Sequence, residues 1–214
     1  MSPRRAKAVE GRVGDDPATA LREHLIDAAE RLTAQAPITT ITTRDIARAA
    51  GVSDGVLYNY FSDKNELLVA AMLRQYRRLI DEFQKLIPEP GTGTVEENLA
   101  SIGGALFALE GEFVPMIAGL LVDPALFHRL FVAIHQEPFG IDQLRNPLTA
   151  YLEGEQLLGR IPADVDRGAV AILLMGSTSV MALAAQFMPG APNVGASGVR
   201  AMVDALLRGL RPGV

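Results

Sequence analysis

Between Ser53 and Lys64 the chain carries a compact set of side chains able to contact a nucleic acid. Asn59 is equipped to hydrogen-bond an adenine or a phosphate, Val56 to touch a thymine methyl, and Gly55 to let a backbone come close. Asp54 has two readings, as a cap in the first turn of a helix or as an acceptor for a cytosine amino group, and the cap is the simpler one. Lys64 opens a following helix, where the dipole disfavours a cation. An external phosphate accounts for it better than helix stability does. Residues 53–60, SDGVLYNY, hold no Lys or Arg, so the common bidentate guanine contact cannot come from this segment.

The elements that must position these groups are legible in residues 39–67, TTITTRDIARAAGVSDGVLYNYFSDKNEL. Thr42 and Asp45 have the spacing of a capping box, Ser53 is placed to cap a second short helix, and Asp63 with Glu66 forms a box for a third. Ala47 marks the contact between the first two helices, where a larger side chain would hold them apart. Gly51 follows at the point where a left-handed backbone is easiest for glycine. Ile46, Ala50, Val52, Leu57 and Phe61 supply the apolar contacts that fix the crossing. This is the layout of a helix-turn-helix DNA reader, although a helix, a glycine turn and a second helix also occur in other small helical proteins.

The same residues carry a family resemblance. Ile46-Ala47, Ala50-Gly51-Val52-Ser53, Leu57-Tyr58-Asn59-Tyr60-Phe61, Lys64 and Glu66-Leu67 together resemble the TetR/AcrR family of transcriptional regulators, over roughly residues 17–67. The resemblance implies an all-helical homodimer, a C-terminal domain with a small-molecule pocket, and release from DNA when the ligand binds. It also implies site residues. Thr43 and Tyr58 match positions whose hydroxyls hold the DNA backbone, and Tyr60 either assists them or packs in the core. Arg44 matches a position that reaches a base and is the candidate for guanine; the alternative is a surface arginine paired with a nearby acid.

The net charge of −5 is unevenly spread: residues 1–89 hold 13 basic and 13 acidic side chains, and residues 90–214 hold 7 and 12. The acid excess thus belongs to the C-terminal part, and DNA affinity follows local charge rather than the total. Arg4, Arg5, Lys7 and Arg12 lie in a tail that reads as disordered, where Glu10, Asp15 and Asp16 dilute the charge. With no cysteine there is no disulfide framework, thiolate metal site or cysteine nucleophile. The start has no apolar stretch behind its basic residues, so it is not read as a secretory signal. The apolar run Gly168 to Met188 is interrupted by Gly176, Ser177, Thr178, Ser179 and Gln186, which favours a buried or dimer-forming helix over a membrane span. A soluble cytoplasmic protein is expected.

Apolar residues recur at helical spacing through the rest of the chain. Asp16-Pro17 marks the first helix, a fourth runs from Asp63 toward Leu86, and further segments are expected at 95–110, 112–122, 123–137, 141–158, 164–188 and 197–209. The predicted fold is all-α, with an N-terminal three-helix DNA-binding domain and a larger C-terminal helical domain for ligand binding and dimerisation. The expected divisions are a basic tail at 1–16, the helix-turn-helix domain at 17–63, a connecting helix at 64–87, and the ligand and dimer domain at 88–214, entered through the PEPGTGT stretch at 88–94. The family resemblance places the dimer contact in the last two helices.

Phe107, Phe113, Met116, Phe127, Phe131, Phe139, Met175 and Met181 are candidates to line an apolar pocket, although a plain core position is the simpler reading of each. His128 and His135, seven residues apart with Asp123 near, share a helical face. A metal site needs more ligands at shorter spacing, so a hydrogen bond to a ligand or simple exposure is the expectation, with no metal and no cofactor. No nucleophile elbow, phosphate loop or zinc-protease motif is present, so no catalytic residue is assigned and an enzyme is disfavoured. The remaining alternative, a nonspecific architectural DNA protein, normally carries a strong basic excess. The reading is therefore a sequence-specific regulator, most simply a repressor, bound to double-stranded DNA at a palindromic operator and released by a small hydrophobic effector.

Overall fold

A computed structural model describes residues 16–137, 142–188, 190 and 195–208, and among them every regular element is helical. The basic residues of the tail and Phe139 lie outside the described residues. The order is α1 (Pro17–Thr33), a short 3-10 turn (Ile38–Thr40), α2 (Thr43–Ala50), α3 (Asp54–Leu57), α4 (Lys64–Lys85), α5 (Val95–Leu120), α6 (Pro124–Gln136), α7 (Asp142–Leu157), α8 (Arg167–Phe187) and α9 (Ala196–Arg208).

Several expected boundaries moved for identifiable reasons. The segments at 95–110 and 112–122 form one helix, with Pro115 inside it. Proline removes a single rung there, since its nitrogen has no hydrogen to give the carbonyl of Gly111, and the burial of Val114 and Leu120 holds the next turn in place. The reading helix is one turn of α-helix followed by turn residues 58–60 rather than a helix over 53–60. Asp16 and Ser53 both occupy N-cap positions, but neither side chain makes a capping hydrogen bond.

Contacts divide the chain into two units. The first comprises residues up to Tyr76 together with Ala118–Gln136, and the second comprises Arg77–Ile117 and Glu137 onward. Residues 118–136, assigned by the sequence pattern to the C-terminal domain, thus group with α1, α2 and α3. Arg129 of α6 gives one reason, donating to both carboxylate oxygens of Asp63 at 2.9 and 2.7 Å.

The core of the first unit is built from the predicted stripes: Leu25, Ala28 and Ala29 of α1, Ile46, Ala47 and Ala50 of α2, Leu57, Phe61, and Leu67, Leu68, Ala71 and Met72 of α4 are all buried. Arg74 of α4 reaches Glu23, Asp27 and Glu30 at 3.0, 2.6 and 2.8 Å. These acids recur every three or four residues along one face of α1, so a single guanidinium meets all three. In the second unit Leu99, Ile102 and Leu106 of α5, Leu148, Tyr151 and Leu152 of α7, Leu174 of α8 and Val199 and Val203 of α9 are buried. A Cβ on Gly103 would come within 2.7 Å of Val199, so glycine is what lets α5 and α9 approach.

Candidate nucleic-acid interface

The frame of the reader is set by local hydrogen bonds. The Thr42 hydroxyl accepts from the Asp45 N–H at 3.2 Å, and Asp45 in turn accepts from the Thr42 N–H at 3.0 Å, closing the expected capping box. The Thr42 hydroxyl also donates to the Asp45 carboxylate at 2.6 Å, and this bond, followed by that from the Thr42 N–H, holds the Asp45 carboxyl below its ordinary value, with Arg48 and Arg44 adding to the effect. At the other end of α2, Gly51 adopts φ 68° and ψ 28°. Its N–H reaches the Arg48 carbonyl and the Val52 N–H reaches the Ala47 carbonyl, the two bonds that close a helix before a sharp turn. Ala47 is completely buried. His24 of α1 donates from Nε2 to the Ala50 carbonyl at 2.9 Å, which ties the turn to α1 and fixes the ring's tautomer.

On this frame the predicted DNA-contacting residues lie in one short stretch with graded exposure. Arg44, Asp54, Gly55, Tyr58 and Asn59 are exposed, while Thr43, Val56, Tyr60 and Lys64 are half-buried. A Cβ added to Gly55 would meet nothing within 4 Å, so its surroundings are open. Arg44 and Asp54 face each other across the two helices, with Nε and Oδ2 3.6 Å apart and both side chains more than half exposed. The sequence left Asp54 open between a cap and a base contact; its structural neighbour is Arg44.

Lys64 differs from its expectation. Its Nζ donates to the Ile41 carbonyl at 2.8 Å, so an internal acceptor already offsets the unfavourable dipole that had pointed to an outside anion. The ammonium still has two further hydrogens to offer.

Sequence reasoning missed the supports of this surface. Arg22 lies over the Phe61 ring, 4.9 Å from its centroid. Asp63 accepts from the Glu66 N–H at 2.8 Å as a helix cap, while Glu66 reaches back to the Ser62 N–H at 2.7 Å. The Arg129 hydrogen bond is the main cause that holds the Asp63 carboxyl below its ordinary value, and Ser62 does the same for Glu66. Only the Asp63–Glu66 spacing was visible in the sequence. Arg129 is 66 residues from Asp63, beyond any local pattern.

The candidate pocket residues are divided between the two units. Phe127, His128, Phe131 and His135 belong to the first unit, and Phe107, Met116 and Met175 to the second. Phe127 and Phe131 stack at 6.3 Å, and Phe131 and His135 meet at 4.0 Å between ring centroids. His135 donates from Nδ1 to the Phe131 carbonyl of its own helix at 2.8 Å, and His128 is exposed. A groove of about 460 Å³ in the second unit has a polar lining that includes Asn146, Thr149, Glu153, Gln156, Asp166 and Arg167, and none of the candidate pocket residues contributes to it. Among the described residues no three metal-ligating side chains converge.

The second unit does contain built polar sites. Glu155 of α7 is completely buried; it accepts from the Gly91 N–H at 3.2 Å and lies 3.2 Å from Arg160, whose guanidinium also donates to the Gly93 carbonyl at 2.6 Å. The stretch read as an inter-domain boundary is therefore anchored onto α7, and a Cβ on Gly154 would clash with the Pro90 ring. Burial pushes the neighbouring Tyr151 hydroxyl up to about 12. Glu110 of α5 accepts from the Ser179 hydroxyl of α8 at 2.6 Å, and desolvation raises its carboxyl above the usual value.

Comparison with known proteins agrees with this geometry. Residues 25–71 match the family described as bacterial regulatory proteins, tetR family. Over 86 residues the chain is 36% identical to the HTH-type transcriptional regulator BetI of Escherichia coli K12, a match covering 40% of this chain and 44% of BetI. It therefore spans less than half the length of that curated relative. Among solved structures, a TetR-family transcriptional regulator from Mesorhizobium loti has a TM-score of 0.71 at 18% identity, covering 91% of this chain and 98% of that one. The transcriptional regulator FadR from Bacillus subtilis, in complex with stearoyl-CoA, has a TM-score of 0.61 at 18% identity and covers 88% of this chain and 99% of that one. Residues 25–71 thus resemble the first domain of the tetR family of bacterial regulatory proteins, and the all-helical fold is shared with solved TetR-family regulators.

Proposed function

We propose that the protein is a homodimeric transcriptional repressor that binds a palindromic operator through α2 and α3 and is released by a small, largely hydrophobic effector. The observation that carries this reading is the α2–α3 pair, opened by the Thr42–Asp45 box and turned between its helices at left-handed Gly51, with the hydrogen-bonding groups of Arg44 and, just after α3, of Tyr58 and Asn59 exposed. Thr43, Tyr58 and Lys64 serve as backbone contacts, and Val56, Gly55 and Asn59 lie against the bases.

Dimerisation is supported by α8. Ala171, Leu174, Thr178 and Ala182 are buried, whereas Ile172, Leu173, Val180, Leu183 and Phe187 form an exposed apolar face. Arg167–Phe187, like Val95–Ile117, is long and apolar enough to cross a membrane by length and composition. The division of α8 into a packed face and an exposed one favours pairing with a second copy through α8 and α9 instead. Two copies so joined would present reading helices about 34–36 Å apart, the spacing of successive major grooves. The acyl chain in the B. subtilis FadR complex supports a hydrophobic effector class, and release requires that the effector bind the DNA-free shape better than the DNA-bound one. A regulator of this kind would act in the cytoplasm, where its operator DNA lies.

Selection from a random duplex pool at moderate salt tests the proposal. Enrichment of one palindrome is expected. Retention that only fades with rising salt and enriches nothing would contradict it.

A further inference from the structure

The Arg44–Asp54 pair stands out on the proposed reading surface, because an acid facing DNA is repelled by phosphate unless it has something to accept from. Ser53 holds the N-cap position of α3, so Asp54 is one residue inside the helix, and the group beside its carboxylate is the Arg44 guanidinium, at 3.6 Å. Both side chains are exposed, 76% for Arg44 and 53% for Asp54. An exposed pair of this kind is weakly held and free to turn toward a better partner.

We infer that Arg44 and Asp54 act together as one reading unit for a single G·C base pair, Arg44 donating to the guanine and Asp54 accepting from its cytosine. The inference rests on the sequence-specific reading proposed above. In the major groove a G·C pair presents two neighbouring acceptors, N7 and O6, followed by a donor, the cytosine N4 amino group. O6 and N4 are hydrogen-bonded to each other, about 2.9 Å apart. The Arg44 guanidinium, its Nε 3.6 Å from the Asp54 carboxylate, offers the complementary order of two donors and then an acceptor. An A·T pair breaks the order, because a donor lies beside N7 and a methyl group flanks the far acceptor. The absence of Lys and Arg from residues 53–60 is then no handicap, since the base-reading cation comes from α2 and its partner acid from α3.

The test uses full-length protein on the selected operator and on versions carrying each substitution symmetrically in both half-sites. Wild type is expected to discriminate one G·C position by roughly 5- to 150-fold, the range of a good bidentate contact. R44A should flatten that position, and R44K should also lose it while keeping overall affinity, because lysine retains the charge but lacks the fork. D54A should reduce the discrimination, and the R44A/D54A double variant should lose no more there than R44A alone. Thermal melting confirms that each variant is folded. A uniform tightening of D54A on all duplexes would show Asp54 to be a mere counter-charge and overturn the inference. So would a selected palindrome whose base preferences ignore all four variants, though the proposed function would survive. Failure of wild type to select any sequence would remove both.

Discussion

The two units place their polar groups in opposite ways. In the first, charged pairs such as Arg129–Asp63 and Arg44–Asp54 sit at or near the surface over an apolar core, and the helix ends are closed by local caps. In the second, Glu155 is fully buried beside Arg160, Glu110 is drawn into the interior with Ser179, and an apolar face of α8 is left exposed. A surface rich in exposed hydrogen-bonding groups suits a polyanion whose contacts are made and broken readily. Buried charge and exposed hydrocarbon suit a unit that must hold its own loops rigidly and associate with another protein surface.

Four changes would sharpen or break that contrast. Phe61→Ala empties a site only 2% exposed and should cost about 3–5 kcal/mol, abolishing DNA binding while self-association persists in sedimentation. Joint loss of both properties would show that the units do not fold separately. Glu155→Ala should cost about 3 kcal/mol by stranding Arg160 and the Gly91 N–H, read as a lowered melting temperature, with a smaller loss in Glu155→Gln. An unchanged melting temperature would show that the buried cluster adds nothing to stability.

Gly51→Ala adds a Cβ that meets nothing within 4 Å, so its whole cost, about 1–2 kcal/mol, should come from the left-handed backbone. Chemical denaturation measures it, and a neutral result would mean the turn relaxes. The smallest effect is that of acid. Asp63 and Glu66 have folded values below their ordinary ones, so they stabilise the first unit above the ordinary carboxylate range and lose that contribution as pH falls through the folded values. Glu110 is raised, so its effect has the opposite sign: acidification through its folded value down to the ordinary one relieves a buried charge. Glu110→Gln should therefore stabilise the protein at neutral pH and lose the advantage in acid, as melts across pH would show. Glu137, held low by Arg77, follows the pattern of the first unit.

What was legible in the sequence follows from how local each signal is. The Thr42–Asp45 box, the Gly51 turn and buried Ala47 are set by partners within a few residues, and all three stand as expected. Lys64 was read from the helix dipole alone, which names no partner, and the Ile41 carbonyl lies 23 residues upstream. The clamp of Arg74 on Glu23, Asp27 and Glu30 spans 51, 47 and 44 residues. No spacing rule reaches that far. The break expected between 110 and 112 falls at Gly111, whose local cost in a helix is visible in the sequence, whereas the packing that carries α5 through it is not. On α8 the same residue types fill the buried and the exposed faces, so composition could not separate core from interface.

The claim on which the account turns is that sequence-specific binding depends on two copies joined through α8. Sedimentation of wild type and Val180→Glu, each alone and with the selected operator, tests it directly, since Val180 is 65% exposed and its replacement opens no cavity in the core. Wild type should sediment as a dimer and place two chains on one duplex, while Val180→Glu should be monomeric, folded, and at least tenfold weaker for the palindrome, roughly the loss expected when a second linked contact is removed. A wild-type monomer that binds one chain per duplex with undiminished specificity would contradict the account.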